Sequence, residues 1–331
     1  MNLLYSLAGM AVLVLVVSVG VETAGLYRLF GVVLPYAAVA VFVSGIVYRV
    51  LKWAAVPVPF HIPTTCGQQK SLPWIKANNL ESPYNSLGVV ARMALEVLAF
   101  RSLFRNTKVD LRSEEQRIVY GNSKYLWLAA LAFHYSFLVV LVRHLRFFTE
   151  PVPFVIGILQ DLDGFFQIGV PTVYLTGVVL AAALAYLLLR RLADPKVRYI
   201  SLPADYFALL LLLGIALSGI LMRYFVKVDI VKVKELVMGL LRFEPSVPAG
   251  IGLIFYIHLF LVCALIAYFP FSKLVHMAGV FLSPTRNLTN TSRMRRHVNP
   301  WNYPVKVHTY EEWEDEFRDK MKAAGLPVER E

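Results

Sequence analysis

Apolar residues in this chain gather into long unbroken runs rather than into the interrupted stripes of water-soluble helices. A helix that crosses a bilayer needs about 20 such residues at about 1.5 Å each. Six runs approach or exceed that length between charged or turn-forming residues: Leu3–Val21, Val32–Leu51, Leu126–Val142 with an extension towards Phe148, Ile168–Leu189, Tyr206–Val226, and Ile251–Phe271 with an extension towards Val280. Each is apolar on all sides, which predicts a membrane span. The first run has no basic start and no small-residue cleavage site, and Glu22 follows it, so it reads as a span and not as a signal peptide.

Between the second and third runs the pattern changes. The segment Arg49–Lys124 begins with an irregular stretch carrying Pro57, Pro59, Pro63, Pro73 and Pro83. Its second half, Ser86–Phe104, sets Val89, Val90, Met93, Leu95, Val97, Leu98, Phe100, Leu103 and Phe104 against Arg92, Glu96, Arg101 and Arg105. That pattern predicts an amphipathic helix suited to the membrane surface or to a partner's groove. Glu150–Gln167 reads as a polar loop in which Gln160, Asp161, Asp163 and Gln167 sit among Phe154, Phe165 and Phe166. Beyond Val280 the chain turns polar, with Arg293, Arg295, Arg296 and His297 ahead of Pro300 and Trp301. Thr309 and Glu312 then form a capping box that opens a charged helix to about Lys322. The tail is either a solvated end or a docking arm. The expected fold is an all-α membrane protein: a bundle of about six transmembrane helices over residues 1–280, which include the cytoplasmic segment 52–124 with its amphipathic helix, and a cytoplasmic C-terminal tail over 281–331.

Composition sharpens this. With 57% hydrophobic and 17% charged residues in 331, and a mean hydropathy of +0.58, a soluble domain is excluded. The net charge of +11 therefore speaks of topology and anionic lipid, not of nucleic acid. Six spans place both termini on one side, where 25 of the Lys and Arg residues fall against 8 on the other. By the positive-inside rule both termini are cytoplasmic and the chain is multi-pass in the cytoplasmic (inner) membrane. Cys66 and Cys263 form no zinc or iron–sulfur ligand set, so a redox metal needs other ligands.

Histidine supplies them. Of seven histidines, His134 and His144 fall in the third run, His258 and His276 in or just past the sixth. His258 and His276, 18 residues apart on a continuous helix, share a face about 27 Å apart. His134 and His144, ten apart, lie at depths differing by about 15 Å. On antiparallel helices His134 meets His276 towards the cytoplasm and His144 meets His258 towards the periplasm. Facing neutral imidazoles can hold a b-type haem iron in both axial positions, which serves electron transfer and leaves no open coordination site. Arg143 and Arg146 are placed to pair with haem carboxylates on the periplasmic side, and Lys124, Lys273 or Arg286 on the other. The polar residues Gln160, Asp161, Asp163 and Gln167 beside the periplasmic pair form a candidate quinol site, since quinol oxidation needs an acceptor for protons. Histidines that only pack, in a haem-free anchor for a peripheral enzyme, or that relay protons in a transporter, are the competing readings. The transporter lacks support from inverted repeats or from Asp or Glu deep in a span.

The paired spacings His134-x9-His144 and His258-x17-His276 resemble those of the respiratory nitrate reductase gamma subunit family. Phe60–Ser71 and Leu159–Gln167 are similar to the DsrM-type branch, the membrane cytochrome b of the sulfite-reduction-associated Dsr electron-transfer complex. The resemblance implies two b haems, with His134 and His276 on one iron and His144 and His258 on the other. It also implies electron exchange with menaquinone and with a cytoplasmic iron–sulfur subunit similar to heterodisulfide reductase, in the respiratory chain of sulfate and sulfite reduction. A periplasmic multihaem cytochrome c is the further partner implied. The family's quinone-site lysine has no counterpart early in the fourth span, so that site does not carry over.

Overall fold

Within each apolar run the backbone has no partner better than its own carbonyls, so it closes into helix and stops where polar, proline or glycine residues begin. The computed structural model describes residues 1–57, 67–112, 114–164, 172–295 and 304–330. Six helical stretches among them are long and apolar enough to cross a membrane: Asn2–Thr23, Leu29–Ala54, Lys124–Phe147, Leu175–Ala193, Pro203–Val226 and Leu253–Phe271. In chain order the elements are α1 (Asn2–Ser18), α2 (Leu34–Ala54), α3 (Ser86–Ala99), α4 (Arg101–Phe104), β1 (Thr107–Arg112), β2 (Arg117–Asn122), α5 (Lys124–His144), α6 (Phe154–Asp163), α7 (Leu175–Ala193), α8 (Pro195–Ile200), α9 (Pro203–Leu221), α10 (Ile230–Leu241), α11 (Leu253–Tyr268), α12 (His276–Gly279) and α13 (Tyr310–Ala323). Five-residue π turns extend α1 and α9 at their ends and α2 at its start. The protein is an all-α, multi-pass membrane protein with, among the described residues, one small antiparallel hairpin, β1–β2.

Helix α5 packs on α7, α7 on α9, α9 on α1 and α11, and α11 on α2. Asn2 donates to the Ser201 carbonyl (2.7 Å) and Ser6 to that of Pro203 (2.7 Å), so the N-terminus and the α8–α9 turn share what is here termed the near face. One core lies at the far end of the bundle, where Val17, Val21, Phe30, Leu236, Phe255 and Tyr256 close beneath α10. A second joins Phe133, Phe137 and Val140 of α5 to Leu180 and Leu184 of α7 and Leu212 of α9.

Three features depart from the sequence expectation. The sixth run is not one helix as far as Val280. Helix α11 ends at Tyr268, and Ser272, in extended conformation, separates a short turn over Phe269–Phe271 from the segment Lys273–Leu282. Pro270 has no N–H to donate, and the Ser272 hydroxyl accepts from Leu274 N (3.1 Å), restarting the chain. Arg49 Nε of α2 donates to the Pro270 carbonyl that the break exposes (3.2 Å). The segment expected as a polar loop contains α6, with Pro153 before its first turn and Gly164 after its last. The predicted amphipathic helix is broken at Phe100, whose left-handed backbone (φ 49°) caps α3 and opens α4. Beside that corner, burial disfavours the charged Glu81, but the guanidinium groups of Arg101 and Arg105 hold its carboxyl below the usual range.

Past α12 the chain folds back. Asn290 N donates to Pro83 O (2.7 Å), Ser292 Oγ to Gln69 Oε1 (3.0 Å), and Arg286 pairs with Glu96 of α3. The Thr309–Glu312 capping box opens α13 as expected. Glu314 then accepts from the backbone N–H groups of Glu329 (2.9 Å) and Arg330 (3.0 Å), which hold its carboxyl below the usual range.

The break in the sixth span is packed against a residue that cannot grow. A Cβ on Gly45 of α2 would come within 2.7 Å of the Pro270 ring. Gly45→Val is therefore expected to destabilise the protein by ~1–3 kcal/mol, read as a lowered thermal midpoint in detergent. An unchanged midpoint would mean that α2 and the break are not held in contact.

Candidate functional site

Helix α5 carries His134 and His144, and α11 and α12 carry His258 and His276. The rings of His134 and His276 have centroids 6.1 Å apart, and those of His144 and His258 lie 6.5 Å apart, nearly parallel at 14°. These are the two pairings expected from the sequence. The expectation that His258 and His276 share one helical face is corrected: the break at Pro270–Ser272 puts them on separate segments, and α12 carries His276 to His134.

The outward nitrogen of every ring is engaged. Nδ1 of His134 lies 2.8 Å from Ala130 O, that of His144 2.7 Å from Val140 O, and that of His276 3.0 Å from Lys273 O. A carbonyl can only accept, so in each case Nδ1 carries the proton and Nε2 keeps its lone pair. His258 differs, because its Nδ1 meets the Ser218 hydroxyl of α9 at 2.9 Å. Ser218 Oγ also lies 2.8 Å from Gly214 O and 3.0 Å from Ile215 O, to which its own proton is directed, so here too Nδ1 donates. Gly219 beside it has no side chain; a Cβ there would lie 3.5 Å from His258 Cε1.

These rings fit an iron held between them. With about 2.0 Å from metal to nitrogen on each side and roughly 1 Å from nitrogen to ring centre, two opposed imidazoles centre about 6 Å apart. A direct ring-to-ring N–H···N bond would hold them roughly 1 Å closer, and neither pair forms one. Among the described residues no group of three or more His, Cys, Asp or Glu is placed to hold a metal ion. Two-histidine sites suit an iron whose other four positions come from a porphyrin. Phe100 and Phe133 stand edge-on to His134 at 4.9 and 4.8 Å, giving the near pair an aromatic wall.

The polar residues around the far pair are arranged differently from the expectation. Arg143 pairs with the buried Asp163, which also accepts from Thr176 N (2.8 Å) and Thr176 Oγ1 (2.6 Å). The Arg143 guanidinium lies 3.4 Å from the Tyr174 ring centre, and that of Arg223 lies 4.0 Å from the same centre. Arg146 donates to Gln160 Oε1 (3.0 Å). Arg143, Arg146, Gln160 and Asp163 are thus brought together but bound to one another. Asp161 is exposed, with no hydrogen bond or ion pair among the described residues, and Gln167 lies outside them. On the near side Lys273 pairs with Asp205 (2.8 Å), Arg286 with Glu96, and Lys124 lies over the Phe104 ring. Cys66, His61 and His297 also lie outside the described residues. Sequence reading passed over Arg223, Tyr174 and Ser218, and took Phe100 only as part of the amphipathic helix. Arg223 had a signal, a cation closing the fifth run; the other three are ordinary residues whose roles depend on packing.

Comparison with known proteins identifies the family. The family model described as nitrate reductase gamma subunit matches residues 87–297, a stretch that includes all four histidines. A protein of Archaeoglobus fulgidus named Hdr-like menaquinol oxidoreductase cytochrome b-like subunit is 49% identical over 280 residues, covering 82% of this chain and 83% of its own. Its namesake in Archaeoglobus profundus is 43% identical over 275 residues, covering 81% of each chain. With a family match over more than half its length and two relatives aligned over most of theirs, the chain belongs to the nitrate reductase gamma subunit family.

Proposed function

We propose that this chain is the membrane cytochrome b of a menaquinol oxidoreductase complex, with His134 and His276 holding one b haem and His144 and His258 a second. The observation that carries the reading is the pair of facing imidazole couples, each ring proton-bound at Nδ1 and free at Nε2. The names of the two Archaeoglobus relatives support menaquinol as the electron donor. The complex we infer joins this chain to a cytoplasmic iron–sulfur subunit similar to heterodisulfide reductase and to a periplasmic multihaem cytochrome c, in the respiratory chain of dissimilatory sulfate and sulfite reduction. Both termini and the near face are cytoplasmic in this reading.

A b haem bound by two imidazoles supplies a one-electron carrier with no open position for substrate. The chain's own residues fix everything around it. Backbone carbonyls and Ser218 set the histidine tautomers and aim the rings, an outer-shell role that tunes the bound iron. Asp163 is committed to Arg143 and Thr176, which leaves Asp161, exposed on α6, as the carboxylate of that segment available to take a quinol proton. Helix α5, which carries one ring of each couple ten residues apart, keeps the two couples apart in depth.

The test is a reduced-minus-oxidised visible spectrum of the purified chain, with extracted haem counted per polypeptide and a menaquinol analogue as reductant. Two non-covalent b haems reduced by the analogue are expected. Folded protein without haem would overturn the reading; haem that the analogue cannot reduce would remove the quinol half of it.

A further inference from the structure

Helix α3 wears its polarity inside out. Its charged residues point into the protein: Glu96 pairs with Arg286 and accepts from Ser102, and Arg101, just past its end, pairs with Glu81. The residues it turns outward are Leu87, Val90, Ala94, Val97 and Leu98, all exposed and all apolar. Their spacing of three, four, three and one places them on a single helical face. Leu87 is 78% exposed, and Val90 and Leu98 more than 60%.

What this face meets is indicated by what it adjoins. The last turn of α3 is fastened to α5 by two aromatic donors, Trp127 Nε1 to Ala99 O (2.7 Å) and Tyr135 Oη to Leu98 O (2.8 Å). Tyr135 belongs to the outward face of α5, with Leu128, Leu138 and Leu141, each about half exposed. That face of a membrane span looks into lipid. The stripe of α3 therefore runs directly off the lipid-facing side of α5 in its near half, from Trp127 in the first turn, a residue type that characteristically sits at headgroup depth, to Tyr135 further along the span. Residues 67–124 carry nine Lys and Arg against five Asp and Glu, an excess suited to an anionic headgroup layer.

We propose that α3 lies in the near-face leaflet, its stripe Leu87–Val90–Ala94–Val97–Leu98 buried among the upper acyl chains of anionic lipid. It is then a membrane-embedded helix, not the docking groove of a soluble subunit. This inference is independent of whether the histidine pairs hold haem.

The experiment uses the full chain in nanodiscs of phosphatidylethanolamine and phosphatidylglycerol, with Cys66→Ser and Cys263→Ala as background. A nitrobenzoxadiazole label is placed in turn at Val90→Cys, Leu98→Cys, Leu138→Cys as lipid reference and Glu316→Cys as water reference. Nitroxide lipids labelled at the fifth acyl carbon are expected to quench Val90→Cys and Leu98→Cys several-fold more than Glu316→Cys and to nearly the level of Leu138→Cys. Quenching at Val90→Cys and Leu98→Cys by aqueous iodide, and not by the nitroxide lipid, overturns the proposal. Protection from iodide that arises only when partner subunits are present also overturns it and makes the stripe a protein contact.

Discussion

His258→Ala is expected to cost the purified chain one of the two b haems proposed for it, with the near-pair spectrum intact. His144→Ala should remove the same component, and His134→Ala or His276→Ala the other. The reasoning is geometric. The pairs lie on opposite levels of α5, ten residues and about 15 Å apart, and no side chain belongs to both. A ring lost from one couple leaves its partner's Nε2 without an opposite ligand, while the other couple keeps its own backbone anchors. Haem extracted per polypeptide, with the split of the reduced α-band, reads the outcome. If His258→Ala removed both haems from protein that still sediments as a folded monodisperse particle, the couples would not be separate sites.

The second large effect is expected at Asp163. Its side chain is 2% exposed and its partner Arg143 13%, and a second guanidinium, Arg223, shares the Tyr174 ring. Removing the carboxylate leaves Arg143 unneutralised and close to another cation, in a setting where breaking one half of a buried pair costs about 3–5 kcal/mol. Asp163→Asn should lower the thermal midpoint of the chain even with no quinol present. Arg143→Met combined with Asp163→Asn should recover part of the loss, because the unneutralised guanidinium is gone while the amide oxygen can still accept from Thr176. A variant Asp163→Asn that melts like the parent and loses only quinol-driven reduction would reassign Asp163 from structure to proton transfer.

The six spans were legible because length and unbroken hydrophobicity are sufficient evidence for them. The histidine couples were legible because antiparallel helices convert spacing into depth. What the linear pattern concealed were events at the ends of runs. Pro270 falls near the close of the sixth run, where a proline reads equally as a helix end or as a kink within one, so His276 was drawn on α11. Helix α6 carried its own signals in Pro153 and Gly164, but Gln160, Asp161 and Asp163 drew attention to polarity over periodicity. The alternation of Val109 and Leu111 with Lys108 and Asp110, and of Ile118 with Arg117, marks the hairpin, whose residues are nearly all exposed. Phe100 and Ser218 could not have been found, since a left-handed phenylalanine and a serine meeting an imidazole are facts of tertiary contact.

The interruption at Pro270–Ser272 has a mechanical meaning. Had His258 and His276 sat on one rigid rod, any tilt or slide of that rod would have strained both couples together. With the rod cut, the far couple is seated in the bundle through α9 and Ser218. The near couple hangs from α12 on one side and, through Phe100, touches α3 on the other. The placement of His276 is then set by the short near-face segment after Ser272, and that of His258 by its contact with Ser218 in the bundle. The two couples thus share one helix, α5, but are closed from two separately seated segments, α11 and α12.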